Sequence, residues 1–171
     1  MFVERWQGAR PEPVVVFLHH GIGSVSQWRD FPRRLCEAVG LPGLAYDRAG
    51  HGKSQPRTAP IAPDYLHQEA RALEALLEQE RVRRPILVGH SDGGSIALLC
   101  RTPVRALIIN GGIGATILQY RKYIHDYHKD NTEYAIVENT MRHRNRRLKH
   151  RTKIFLKKEK NKYRRQHQYN I

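Results

Sequence analysis

The feature that most constrains this chain is the alternation, over its first 110 residues, of short β-branched runs with segments of helical spacing. Val14-Val15-Val16-Phe17-Leu18 is apolar at every position, which suits a strand buried on both faces. Such strands belong to parallel sheets whose faces are covered by helices. Strands are predicted at 14–19, 43–46, 85–89 and 104–109. Between them, Trp28, Phe31, Leu35 and Val39 recur at helical spacing until Gly40 and Pro42 stop the pattern. The Gly/Pro-rich stretch 50–63 reads as a loop. Asp64 opens a second helix, with Leu66, Leu73, Leu76 and Leu77 on one stripe and Glu69, Arg71, Glu74 and Glu78 expected in water. Residues 91–100 form a third. The predicted class is α/β, a mostly parallel sheet with right-handed crossover helices on both faces.

Composition sets the outer limits. The 171 residues suffice for one domain, and 40% hydrophobic with 27% charged residues is ordinary for a globular protein. The longest early apolar run, 14–18, is far short of the roughly 20 residues a membrane span needs. No apolar h-region occurs in Met1-Phe2-Val3-Glu4-Arg5-Trp6, so no secretory signal is expected. Cys36 and Cys100 lie in apolar surroundings without zinc-ligand spacing and read as buried free thiols, which points to a reducing, cytoplasmic setting. The net charge of +14 is unevenly spread, +3 over residues 1–110 and +11 over 111–171.

Two constellations carry chemistry. Gly89-His90-Ser91-Asp92-Gly93 fits the G-x-S-x-G pattern, with a β-branched strand running into it and an apolar helix running out. A sharp strand–turn–helix corner holds a serine Oγ out at the carboxyl edge of a sheet, and flanking glycines let neighbouring backbone pass close by. The plain alternative is a Gly-rich turn with an N-capping serine. The second constellation is His19-His20-Gly21-Ile22-Gly23-Ser24, directly after the first strong strand. A serine hydrolase needs two backbone N–H groups aimed at the oxygen that becomes negative in the tetrahedral intermediate. One comes from the residue after the nucleophile, here Asp92. The other comes from the early loop, with Gly21 as the first choice and His20 as the alternative.

These blocks, together with Trp28 and with Ala45-Tyr46-Asp47-Arg48-Ala49-Gly50-His51-Gly52-Lys53-Ser54, resemble the α/β-hydrolase superfamily, in particular its bacterial esterase- and aminopeptidase-like members. The resemblance covers about residues 3–112. It implies a partial α/β-hydrolase fold with Ser91 as nucleophile and the N–H groups of Gly21 and Asp92 as oxyanion hole. It also implies that the block 47–54 fixes the loop around the site, so Asp47 is not carried over as a catalytic acid. Members of the superfamily more often read His-Gly-Gly where this chain has His19-His20-Gly21.

The resemblance implies a triad in the order Ser, acid, His, with acid and base each following a further strand. No further buried strand is evident after Asn110. His125, His128, His143, His150 and His167, with Asp126 and Asp130, read as parts of a solvated basic segment. The expected organisation is therefore a hydrolase core over 1–114, a possible start of a helical cap over 115–137, and a basic, helical or disordered tail over 138–171. A truncation or frameshift would account for that tail, and would leave an unpaired strand edge at 104–109.

Three functions compete. The first is a serine hydrolase acting on a small-molecule ester, thioester or amide through an acyl-enzyme on Ser91, without metal or cofactor and weakly active or inactive as given. The second is a nucleic-acid or acidic-surface binder using the tail, where +11 would attract phosphates weakly and without sequence preference. The third is a non-catalytic module of the same fold. No membrane partner is expected.

Overall fold

The computed structural model describes residues 1–110 and the backbone of two further strands, 135–139 and 152–156. The strands are β1 (Phe2–Trp6), β2 (Val15–Leu18), β3 (Gly43–Asp47), β4 (Ile86–His90), β5 (Ala106–Asn110), β6 (Ala135–Asn139) and β7 (Thr152–Leu156). Helices α1 (Phe31–Val39), α2 (Tyr65–Gln79) and α3 (Asp92–Leu99) lie between them, with a 3-10 turn at Val25–Trp28 ahead of α1. All four strands expected in the first 110 residues are present within two residues of their predicted ends.

One sheet runs in the order β1-β3-β2-β4-β5-β6-β7. The pairs β3–β2, β2–β4, β4–β5 and β5–β6 are parallel, and the outer pairs β1–β3 and β6–β7 are antiparallel. The all-apolar runs take the central positions, as double-sided burial requires. Val16 and Leu18 face a core shared with Leu73, Leu76 and Leu77 of α2 and with Ile96 of α3. Val15 and Phe17 face the opposite core, with Cys36 of α1 and the rings of Trp6 and Trp28. Helices therefore cover both faces, and Cys36 and Cys100 are buried free thiols.

Several expectations need correction. β1 was not anticipated; Phe2 to Trp6 pairs with Asp47 to Gly43 along the sheet edge. Val104 is buried but precedes β5 rather than opening it. Glu69, expected in water, is buried on α2 and forms an ion pair with Arg57. The edge at 104–109 is not left open, since β5 pairs with β6 from Leu107↔Ile136 to Asn110↔Asn139. The backbones of β6 and β7 fall within 115–171, the stretch read as a possible cap followed by a basic tail. The rest of 111–171, including the cap expected to start at 115, lies outside the described residues.

The stripe on α2 holds one core together, and Leu73 is completely buried in it. Leu73→Ala should cost about 2–5 kcal/mol, through lost apolar burial and the cavity left behind. Glu78→Ala, on the exposed side of α2, should change stability by less than about 0.5 kcal/mol. Urea unfolding followed by far-UV circular dichroism measures both; equal effects would mean that α2 does not bury this face.

Candidate active site

The chain leaves β2 for β3 on one side and later returns, through α2, to β4 on the other side. The carboxyl ends of β2 and β4 thus flank a point where the strand order reverses, the usual place for a ligand crevice in an open α/β sheet. Leu18 pairs with Gly89 across it. Both constellations singled out in the sequence start within two residues of that pair.

Ser91 is the corner between β4 and α3. Its backbone adopts φ 53° and ψ −116°, a left-handed region that serine rarely occupies. Its N–H donates to the Asn110 carbonyl at 3.0 Å, and its own carbonyl accepts from Gly94 at 2.9 Å and Ser95 at 3.2 Å. A Cβ on Gly89 would lie 2.5 Å from the Gly93 carbonyl oxygen. One on Gly93 would strike the Leu18 carbonyl and come within 2.7 Å of the His19 oxygen. The two glycines are what allow α3 to start this close to β4 and to the end of β2. Asp92 is the first residue of α3, where a helical N–H has no acceptor within its own helix.

Gly21 stands beside this corner. A Cβ built on it would lie 2.6 Å from Asp92 Oδ2, so the structure brings together the three residues Ser91, Asp92 and Gly21 that the sequence singled out. His20, the alternative, packs its ring edge-on against His90 at 5.3 Å. Its carbonyl accepts from Gly23 N–H at 3.0 Å, His19 Nδ1 at 2.8 Å and Arg48 Nη2 at 2.9 Å. Beneath the loop, Phe17 meets Trp6, Trp28 and Phe31 edge-to-face at 5.7–6.1 Å between ring centres.

The block 47–54 does the bracing expected of it. The Asp47 carboxylate accepts from the Val25 N–H at 2.6 Å and the Lys53 N–H at 2.8 Å, tying the turn after the Gly21 loop to its own loop. Gly52, at φ 51°, leaves room for that carboxylate. Ser54 Oγ donates to the Asp47 carbonyl at 2.5 Å and accepts from the Phe2 N–H at 2.8 Å. His51 Nδ1 donates to the Gly23 carbonyl at 3.1 Å. His19 is buried and bonded at both nitrogens. Nε2 accepts from the Arg48 N–H at 3.2 Å, so the proton sits on Nδ1 and points at His20. Burial, and next the Arg48 charge, push the His19 pKa down to about 4. Burial lowers His51 and His90 as well, with Arg48 and His20 the next causes in turn.

Two neighbours of the site were missed in the sequence. The Tyr65 hydroxyl, at the start of α2, donates to Asp92 Oδ2. Burial and that bond push its pKa up to about 12. Arg48, read only as part of the bracing block, is 2% exposed and reaches the His20 carbonyl. Among the described residues no three His, Cys, Asp or Glu side chains group closely enough to hold a metal ion, and no helix is long and apolar enough to cross a membrane.

A sequence model described as the Alpha/beta hydrolase family matches residues 15–165. The chain belongs to the α/β-hydrolase family. The match extends well past residue 112, where the resemblance legible in the motifs ends. Among curated α/β-hydrolase relatives, a 2-succinyl-6-hydroxy-2,4-cyclohexadiene-1-carboxylate synthase of Serratia proteamaculans is 34% identical over 111 residues, covering 62% of this chain and 41% of the relative. An sn-1-specific diacylglycerol lipase, ABHD11, of Mus musculus is 33% identical over 88 residues, covering 51% and 27%. An esterase from Exiguobacterium antarcticum has a similar structure, with a TM-score of 0.56, 25% identity, and 66% and 41% of the two chains covered. The chain thus spans less than half the length of these α/β-hydrolases.

Two outcomes follow for this hydrolase corner. Ser91→Gly should stabilise the fold by about 1 kcal/mol, because glycine occupies the left-handed region without strain, while Ser91→Ala should not. Urea midpoints of both variants check this; equal midpoints would mean that the corner stores no strain. The second outcome concerns pH. Unfolded His19 titrates near its ordinary 6.5, but in the folded chain only near 4. Between those values the unfolded state binds a proton that the folded state refuses. The contribution of His19 to stability is therefore complete above pH 6.5 and falls as pH drops towards 4, by about 3 kcal/mol in all. Urea unfolding at pH 7.5 and 4.5 should show this loss, and His19→Asn should flatten the slope between them.

Proposed function

We propose that this chain carries the nucleophile half of a serine hydrolase site acting on a small-molecule carbonyl compound. The observation that carries this reading is the left-handed backbone of Ser91 at a strand–helix corner, beside Gly21 at the reversal point of the sheet. Ser91 Oγ attacks the carbonyl carbon, and the negative oxygen forms between the N–H groups of Gly21 and Asp92. Collapse of the tetrahedral intermediate expels the leaving group with a proton and leaves an acyl-Ser91 ester. Water then releases the acid and restores the hydroxyl. The esterase and the lipase among the relatives favour an ester as the bond cleaved.

The order of the triad in the family puts acid and base after Ser91. His125, His128, His143, His150 and His167 lie outside the described residues, as does most of the basic tail considered for nucleic-acid binding. Among the described histidines, His19 and His51 direct Nδ1 to backbone carbonyls, the His20 and His90 rings pack on each other, and His67 is exposed on α2. We therefore infer slow chemistry at Ser91. The described residues alone supply no base, and without one only the residual rate that binding and the oxyanion hole provide is left.

Hydrolysis of p-nitrophenyl acetate and labelling by a fluorophosphonate, each with the unaltered chain and with Ser91→Ala, test this. Slow labelling that disappears in Ser91→Ala, with little ester turnover, is expected. Labelling unaffected by Ser91→Ala would refute the nucleophile and leave a non-catalytic module of the same fold. Rapid turnover that depends on Ser91 would show that a base within 111–171 reaches the site.

A further inference from the structure

The His20–Gly21 peptide is gripped harder than a turn at the end of β2 requires. A carbonyl oxygen has two lone pairs, yet the His20 oxygen accepts from the Gly23 N–H, from His19 Nδ1–H and from the Arg48 guanidinium. Neutral groups already satisfy that oxygen. The third donor is a charged side chain that is 2% exposed. Among the described residues Arg48 forms no ion pair, and its buried Nη1 has no hydrogen-bond partner. No carboxylate of the described residues comes within ion-pairing distance of this guanidinium, and burying it for one carbonyl bond and a 3.4 Å contact with His19 Nδ1 is costly.

The chemistry of the peptide group shows what the charge can do. The His20–Gly21 bond is trans, so the Gly21 N–H points opposite to the His20 carbonyl. Pinning the oxygen on Arg48 and His19 therefore also aims the N–H, away from Arg48. Hydrogen bonds to the oxygen draw electron density through the conjugated peptide and make its N–H a stronger donor, more so when the donor on the oxygen is ionised. Gly21 itself lies against Asp92, whose carboxylate would oppose negative charge forming nearby. A buried cation acting through the peptide works in the opposite sense.

We propose that Arg48 is a positioning residue for oxyanion stabilisation: it orients and polarises the His20–Gly21 peptide so that the Gly21 N–H meets the negative oxygen formed by attack of Ser91. This rests on the reading of Ser91 and Gly21 given above. His19 completes the device. Its Nε2 accepts the backbone N–H of Arg48 while its Nδ1–H reaches the same carbonyl as the guanidinium, so one imidazole sets the spacing of both parts. Arg48 touches neither substrate nor Ser91 in this arrangement and acts only through the peptide.

The test uses the full chain, labelled with ¹⁵N and ¹³C, as unaltered protein, Arg48→Met, Arg48→Lys and Ser91→Ala. Arg48→Met should move the Gly21 ¹⁵N and His20 ¹³C′ resonances upfield while leaving the Asp92 amide in place. It should also slow Ser91-dependent fluorophosphonate labelling on the order of tenfold, less than loss of an oxyanion donor itself. Arg48→Lys keeps a charged donor and should recover part of both effects. Unmoved Gly21 and His20 resonances in Arg48→Met would overturn the proposal, and so would moved resonances with unchanged labelling. If Arg48→Met does not fold, Arg48→Lys carries the test: intermediate shifts with slower labelling support the proposal, and resonances identical to the unaltered chain overturn it. Failure of the underlying reading has a different signature. In that case Ser91→Ala labels as fast as the unaltered chain, whatever the resonances do.

Discussion

The close approach of α3 to the carboxyl end of β2 is the constraint from which the rest of this site follows. Backbone at Gly93 comes so near the Leu18 and His19 carbonyls that no side chain fits between them. That contact can exist only if the chain turns sharply after β4, and the turn is what forces Ser91 into a left-handed conformation. It also sets the depth at which α3 begins, and with it the position of the free N–H at Asp92. A corner built from backbone contacts cannot relax one side chain at a time. Its geometry is therefore held by main-chain packing and not by the chemistry of Ser91.

A second layer holds the loop that faces the corner. Asp47 clamps two backbone N–H groups, one on each of two loops, and charge-assisted bonds of this kind are about twice as strong as neutral ones. His19, His51 and Arg48 add bonds between the same two loops. The result is a loop with few degrees of freedom beside the Ser91 corner. This bracing explains why a stretch rich in glycine and charge, 47–54, sits against the sheet instead of wandering in solvent.

The parts legible in the sequence were those with a local cause. β2 announces itself by a run apolar at every position, and β3, β4 and β5 by short apolar runs that end in Asp47, His90 and Asn110. Ser91 was legible because its strand–turn–helix setting is contiguous in the chain. β1 was not: Phe2-Val3-Glu4-Arg5-Trp6 is only half-buried, and its partners, Asp47 back to Gly43, lie far along the chain. Glu69 fell on the polar side of a helical pattern, and its burial goes with an ion pair to Arg57 in the loop ahead of α2. Arg48 and Tyr65 owe their places beside the site to contacts with His20 and Asp92, which no spacing rule encodes.

The edge strand β1 is mechanically connected to this arrangement. Phe2 donates its N–H to Ser54 Oγ, Ser54 donates to the Asp47 carbonyl, and the Asp47 side chain holds the turn after Gly21. Three successive bonds thus transmit a pull on the first residues across the sheet edge to the loop over Ser91. A bulky carrier attached ahead of Phe2, or tethering of the chain to a solid surface by that end, loads this path directly. At the other end of the described core the link is direct, since the Asn110 carbonyl accepts from the Ser91 N–H itself.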